Sequence, residues 1–558
     1  MTNKEIASVL QQTADLIELT DGNPHRARAF SRAARSLGNL EEAAVDRLTE
    51  ETLTDVGGIG DAMADHVADV AETGTFPLHD ELLNAIPPGL LDVMRVNGLG
   101  TKRTRRLWQE LDVTSLDELE QAAQSDRIKS LSGFGDKTQQ NILDNVRQLR
   151  RYDAQWRLHD AWSTASTLLD MLRALDAVQQ AEPTGALRRQ METMEKIEII
   201  VATNEPTVLQ DWATDRFEVS STNEEGVTAT LPQGIPLRLH LSSPDRFGTQ
   251  WWRTTGSTEH REAFETTCGT PDAHPSEDAL FADAGLPVIP PELRENRGEL
   301  DAAANDALPS LITVDDLQGC LHNHSTYSDG SASLETMAQA ARSRGFSYFG
   351  ICDHSQSLQI ASGLSPDEVR TQHEEVQQLN ASIDDDSFRI FQGIESDILR
   401  DGALDYADDL LELFDFIVAS VHTGFSMTED EATERVIRAV QNPHTRILGH
   451  PTGRLLLSRD GYPLDHARVI EACAEHDVAI ELNANPDRLD LDWRWVRQAT
   501  EQGILISINP DAHATEEIDY VEWGVAVSRK GWLTPEHCLN AKSLTDFSDW
   551  VQNGPNGA

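Results

Sequence analysis

Lysine is nearly missing. The chain of 558 residues carries it only at Lys4, Lys102, Lys129, Lys137, Lys196, Lys530 and Lys542, and its other basic side chains are arginines. Cysteine is scarce too. Cys268, Cys320, Cys352, Cys473 and Cys538 are scattered with no C-x-x-C, which suits free thiols in a reducing cytosol. No apolar run approaches the ~18 residues of a transmembrane helix. The N-terminal MTNKEIASVLQQTADLIEL reads as an amphipathic helix and not as a signal peptide, so a cytoplasmic protein without a membrane partner is expected.

Acid is what the chain has in excess. The formal net charge is −48, spread along segments that look folded and not gathered in a tail. Such a chain repels itself in dilute buffer, and a salt-rich cytosol would screen that repulsion. The charge therefore reads as adaptation to a halophilic cell.

The first 154 residues are patterned as helices punctuated by one recurring turn. Gly57-Gly58-Ile59-Gly60, Asn97-Gly98-Leu99-Gly100 and Ser132-Gly133-Phe134-Gly135 each place an apolar residue between two glycines and open an amphipathic helix. Glycines let a turn bring backbone N–H groups and a helix N-terminus against an anion such as a phosphate. The three turns resemble helix-hairpin-helix motifs, which hold the nucleic-acid backbone without reading sequence. The expected DNA contacts are Gly58, Gly60, Gly98, Gly100, Lys102, Gly133, Gly135 and Lys137. A helical scaffold with no ligand is the plainer alternative.

Residues 155–310 suggest an α+β segment, with strands over 196–202 and 235–241 and a Pro-, Asp- and Ala-rich stretch at 265–315 holding the last linker. To this point the chain resembles family X DNA polymerases of bacterial and archaeal type. The family's G-S-x-R-R appears as Gly185-Ala186-Leu187-Arg188-Arg189. Its D-x-D falls on Lys196-Ile197-Glu198, its third carboxylate on Arg238, and its Y-F-T-G-S on Arg253-Thr254-Thr255-Gly256-Ser257. Nucleotidyl transfer needs carboxylates that clamp two metal ions. With cations at Lys196 and Arg238, the resemblance implies a degenerate polymerase site. A different alignment would leave Glu192, Glu195 and Glu198 as some other metal site. The family's lysine-dependent removal of deoxyribose phosphate also lacks its amine, since no lysine lies between Lys4 and Lys102.

From Asp316 onward, strand-like apolar runs alternate with amphipathic stretches. Seven such runs end in His322 and His324, Asp353-His354, Glu395, His422, His450, Asn483, and Asn509 to His513. In H-x-H on a strand, both side chains face one way, so His322 and His324 can share a metal ion. Polar residues at successive strand ends are what the active rim of an α/β barrel looks like. Six histidines gathered there with Asp329, Glu395 and Asp511 point to a metal cluster.

Over about 316–545 the chain resembles the PHP (polymerase and histidinol phosphatase) domain, through Gly393-Ile394-Glu395-Ser396-Asp397-Ile398, Gly449-His450-Pro451-Thr452-Gly453-Arg454 and Asp511-Ala512-His513. The resemblance implies three divalent ions, zinc or manganese with iron also suitable. Their ligands would be His322, His324, Glu395 and Asp511; Glu395, His422 and His450; and Asp329, His354 and His513. It also gives His322, His324, Glu395 and Asp511 the catalytic role. Arg454 and Arg488 follow strand ends and are candidates for holding phosphate oxygens.

The expected architecture is four-part: a helical 8 kDa-like domain with helix-hairpin-helix over 1–80, fingers-like tandem hairpins over 81–154, a degenerate palm and thumb over 155–312, and a distorted (β/α)7 PHP barrel over 313–558. The expected function is metal-dependent phosphodiester hydrolysis on gapped or 3′-ended DNA, as a 3′–5′ exonuclease or 3′-end processor in repair. An active gap-filling polymerase, a histidinol-phosphate-type phosphatase and a non-enzymatic DNA-binding scaffold remain as alternatives.

Overall fold

The computed structural model describes residues 1, 3–38, 40, 43–383 and 387–553. It divides into two compact units, Met1–Ala154 and Gln155–Ala558. No helix among the described residues is long and apolar enough to cross a membrane.

The first unit is helical. α1 (Asn3–Leu19) buries Ile6, Leu10 and Ile17 on one stripe, against Ala27, Phe30 and Leu37 of α2 (Pro24–Gly38). The three glycine hairpins repeat one geometry. Gly58, Gly98 and Gly133 are left-handed, with φ of +98°, +85° and +84°. The apolar residue that follows, Ile59, Leu99 or Phe134, is buried in each. Gly60, Gly100 and Gly135 are extended and cap α3 (Asp61–Thr73), α4 (Thr101–Leu111) and α5 (Asp136–Asp153), none with a side-chain cap.

The second unit holds two large sheets and a short antiparallel pairing of Trp156–Arg157 with Thr193–Met194. Five strands, β1 (Gln180–Pro183), β2 (Ile197–Ala202), β3 (Glu218–Asn223), β4 (Gly226–Thr230) and β5 (Pro236–Ser242), lie in the order β1-β2-β5-β4-β3. Only β2 and β5 run parallel. Ile197, Ile199 and Val201 turn into a core shared with Leu158, Ala165 and Leu172 of α6 (Leu158–Arg173). The stretch 265–315 holds more than a linker. Phe281, Ile289 and Leu293 from it join Trp252 and Phe264 in a buried cluster of their own, around Arg294 and Glu277. Its proline and alanine content hid a small core built from residues far apart in sequence.

The remaining strands are the seven-stranded parallel barrel: β6 (Gly319–Asn323), β7 (Tyr348–Ile351), β8 (Arg389–Asp397), β9 (Phe416–Ser420), β10 (Thr445–Leu448), β11 (Ala479–Asn483) and β12 (Ile506–Asn509), adjacent in chain order. A parallel bridge between Asn323 and Ala512 draws the two edges together, with the His324 N–H donating to the Ala512 carbonyl at 2.8 Å. Strands such as Phe416–Ser420 are buried along their whole length, as expected of a sheet covered on both faces.

The region of the five-stranded sheet, expected from the resemblance to be the palm, shares a core with the barrel. Leu489, Trp493 and Val527, from the barrel's α7 (Trp493–Glu501), α8 (Val521–Lys530) and the loop before α7, belong to the palm's hydrophobic cluster. Lys530 is buried between them, its Nζ 2.7 Å from Glu295 and bonded to the Arg189 carbonyl. Burial pushes this ammonium down to about 8, against the pull of Glu295. At the opposite end of the barrel, α9 (Leu544–Asn553) closes the floor, with Phe547 stacked on Tyr348 at 4.4 Å.

Candidate metal centre and its surroundings

The barrel rim collects the expected side chains, but not by the expected strand geometry. His322 sits at φ +55°, where the register of β6 against β7 slips between Cys320 and Asn323. The strand ends at Asn323, so His324 lies beyond it. The bulge, and not the two-residue period of a strand, brings both rings into the site, 5.3 Å apart. Asp511, just past β12, is likewise left-handed at φ +53°.

Glu395 of β8 is the hub. Its Oε1 lies 3.3 Å from His322 Nε2, 3.1 Å from His422 Nε2 and 2.9 Å from His450 Nε2, and its Oε2 is 2.8 Å from His354 Nδ1. His324 Nε2 is 3.0 Å from Asp511 and 3.8 Å from Glu395. Asp329 lies 3.5 Å from His354 and 3.3 Å from His513. Three groups have donor atoms within 4.8 Å of one another: His322, His324 and Asp511; His354, Glu395 and His422; and His324, Asp329, His354 and His513. Against the division implied by resemblance, His324 and His354 each stand in two neighbouring groups.

The donor set fits metal ions. His322 Nε2, His324 Nδ1, His354 Nδ1, Glu395 Oε2, His422 Nε2 and His450 Nδ1 are buried and have no hydrogen-bond partner. Buried polar atoms are rarely left so, and the mixture of imidazole and carboxylate suits zinc, manganese or iron. The electrostatics agree. Burial opposes ionisation of Glu395 and Asp511, yet surrounding imidazoles, led by His422 and His322, hold both carboxyls far below their usual range. Burial and the neighbouring His513 and His354 drive His324 down to about 3. Against the same burial, Glu395 raises His422 to about 10 and Asp329 raises His513 to about 9. The cluster thus sets ionised carboxylates against imidazoles that they hold protonated, and a bound cation would take the place of those protons.

A second ring of carboxylates orients these ligands. Glu481 of β11 is fully buried and accepts from His322 Nδ1 at 2.6 Å, the His450 N–H at 2.6 Å and Asn509 Nδ2 at 2.8 Å. Asp397 accepts from His422 Nδ1 at 2.5 Å and from Ser357 at 2.7 Å. Sequence reading passed over both roles. The signal was an acid embedded in an apolar run, at Val478–Leu482 and Gly393–Ile398. Asp353, which ends β7's run, turns away and binds Ser325, Ser328 and Gln372.

The two arginines separate. Arg454 is spent internally on the Arg488 and Leu489 carbonyls and on Asp492 at 2.9 Å, so it is not a free phosphate fork. Arg488 faces the cluster, its Nε 3.4 Å from Asp511 and its buried Nη1 without a partner.

In the palm, Lys196 Nζ lies 3.2 Å from Glu198, and His240 Nε2 lies 3.1 Å from the same oxygen. Arg238 stands opposite Glu198 in the β2–β5 register and donates to Thr228. His240 was not foreseen; it follows Arg238 by two residues on the same face of β5. Glu192 does not join Glu198. Its two oxygens accept from Trp493 Nε1 at 3.0 Å and Arg494 at 2.8 Å. Arg188 is held bidentately by Glu277, which also binds Arg294.

Around the hairpins, Arg106 reaches from α4 to the Ser132 carbonyl at 2.6 Å, and Arg103 and Arg106 both lie over the Phe134 ring. Lys102 and Lys137 are exposed beside the uncapped starts of α4 and α5.

Comparison with known proteins follows this division. Residues 1–76 match the Helix-hairpin-helix domain family, residues 90–148 the SAM-like Helix-hairpin-helix tandem, and residues 321–516 the PHP domain. The chain is similar to a probable phosphatase of Acetivibrio thermocellus, at 28% identity over 35% of this chain and 80% of that protein. It is also similar to one of Thermoanaerobacter sp. (strain X514), at 27% identity over 27% of this chain and 63% of that protein. The DNA polymerase/3′-5′ exonuclease PolX of Bacillus subtilis (strain 168) is 32% identical over 99% of this chain and all of its own length. Hairpins, palm and PHP barrel thus align end to end with one relative, and the chain belongs to the PolX family of DNA polymerase/3′-5′ exonuclease proteins.

Proposed function

We propose that the barrel hydrolyses phosphodiester bonds at DNA 3′ ends, as a 3′–5′ exonuclease or 3′-end processor in repair, and that the palm no longer polymerises. The observation that carries this reading is the convergence of orphaned imidazole and carboxylate atoms at the barrel rim. His322, His324, Glu395 and Asp511 would form the catalytic group, with His422 and His450 on one flank and Asp329, His354 and His513 on the other, holding three divalent ions, zinc or manganese most suitably. Such ions, when bound, lower the pKa of water and offset the charge of a phosphoryl group. The protein side does the positioning. Glu481 and Asp397 fix the His322 and His422 rings, and Arg488 offers a free N–H to a non-bridging oxygen.

Three left-handed glycine turns with uncapped helix starts support sequence-independent binding of the DNA backbone. Loss of polymerisation is supported by the Lys196–Glu198–His240 cluster, where one carboxylate is already engaged by two side-chain nitrogens. The charge of −48 supports a salt-rich cytoplasm as the working environment. A small-molecule phosphatase is the second reading, favoured by the likeness of about a third of the chain to probable phosphatases.

The test is hydrolysis of a 5′-labelled oligonucleotide in molar salt with Mn²⁺ or Zn²⁺, beside histidinol phosphate. The expected result is a ladder shortened from the 3′ end, absent in His322→Ala. Turnover of histidinol phosphate with an untouched oligonucleotide supports the phosphatase, and no turnover of either supports a scaffold.

A further inference from the structure

The loop that carries Arg488 is not held by the barrel alone. It leaves β11 at Asn483 and returns at Asp490, the two residues pairing as an antiparallel bridge. Between them, Asp487 forms an ion pair with Arg157 of the palm. Leu489 is buried in the palm's hydrophobic cluster, with its backbone left-handed at φ +45°, a conformation uncommon for a leucine. Just past the return, Trp493 Nε1 and Arg494 donate to the palm's Glu192. Arg494 also binds Asp492, whose other partner, Arg454, takes the Arg488 and Leu489 carbonyls. Palm contacts thus grip the loop on both sides of Arg488, while its side chain reaches Asp511 in the metal cluster.

We propose that the palm acts as the scaffold of the nuclease site: Arg157 and Glu192 are positioning residues that set the Arg488 guanidinium for its phosphate. A leucine in the left-handed region persists where its surroundings over-determine it. Here the surroundings are palm side chains together with Trp493, Val527 and the Arg454 that takes its carbonyl. Without the palm the loop loses much of the apolar cluster around Leu489 and the Arg157 partner of Asp487, and the base of Arg488 is held from the barrel side alone. This gives a palm with a neutralised polymerase cluster a reason to stay folded against the barrel. The inference rests on the phosphodiesterase reading of the barrel.

The test is a set of double-mutant cycles in the full-length, metal-loaded protein, reading kcat and KM on a 3′-ended oligonucleotide. Arg157→Ala and Glu192→Gln are each expected to raise KM about tenfold, the loss of one charge-assisted phosphate contact, and to change kcat less than about twofold. Arg157→Lys should recover most of the lost KM. In an Arg488→Ala background neither change should matter further. Glu192→Gln keeps shape and volume, and so serves should Arg157→Ala fail to fold. An unchanged KM in Glu192→Gln, or losses that add to that of Arg488→Ala, overturns the proposal. A wild-type protein that leaves the oligonucleotide intact overturns the underlying reading, and the inference with it.

Discussion

Replacing Glu481 by glutamine keeps the side chain's shape and removes one acceptor from the barrel interior. Glu481 takes four N–H groups: His322 Nδ1 and Asn509 Nδ2 on Oε1, and the His450 backbone and, at 3.4 Å, Asn483 Nδ2 on Oε2. A glutamine can offer its oxygen to only one side. If the amide nitrogen faces His450, two donors meet in a buried site, at a cost of about 1–3 kcal/mol. If it faces His322, that ring must accept at Nδ1 and carry its proton on Nε2, the atom 3.3 Å from Glu395 and 3.7 Å from Asp511. A protonated Nε2 cannot ligate a metal. Either orientation therefore lowers metal affinity, by roughly 10–100-fold for the loss of an orienting partner. The assay is metal content by mass spectrometry after dialysis at a fixed free-metal concentration, with thermal unfolding beside it. Metal content and melting temperature both equal to wild type would refute the assignment of Glu481 as the group that sets the His322 tautomer.

Glu277 is buried, and against that burial Arg294 and Arg188 hold its carboxyl down to about 2 from an ordinary 4.5. Its contribution is present above about pH 4.5 and lost as pH falls toward 2, amounting to about 3 kcal/mol. The stability difference between wild type and Glu277→Gln should therefore shrink across that window in denaturant titrations, and a difference independent of pH would contradict it. Raising KCl from about 0.1 to 2 M shortens the screening length from ~10 Å to below ~3 Å, so a chain at −48 should melt higher in salt; equal or better stability in dilute buffer would count against the halophilic reading. Lys102→Ala and Lys137→Ala should each flatten the log Kd against log salt slope for duplex DNA by up to about 0.9, measured by fluorescence anisotropy, and an unchanged slope removes them from the DNA contacts.

What could be read from the sequence was local. The glycine–apolar–glycine turns announce themselves because only glycine adopts the left-handed φ without cost and the buried residue between must be apolar. The barrel strands announce themselves as unbroken apolar runs, and their polar ends mark one rim. What stayed hidden depends on partners far off in sequence. The slip at His322 is a property of β6 against β7, and Arg454's engagement with Asp492 spans a loop. Glu192 looked like a member of a glutamate cluster because its partners, Trp493 and Arg494, lie some 300 residues on. The β3–β4 hairpin escaped notice because Glu218–Asn223 is polar and exposed along almost its whole length.

On the function proposed above, the barrel works on DNA and the palm does not. The direct measurement offers a gapped, 5′-labelled primer with Mn²⁺ and all four deoxynucleotides in molar salt, and follows primer length in wild type, His322→Ala and Glu198→Gln. Shortening is expected in wild type and Glu198→Gln, and an unchanged primer in His322→Ala. A primer that lengthens in wild type and no longer does so in Glu198→Gln would contradict that function.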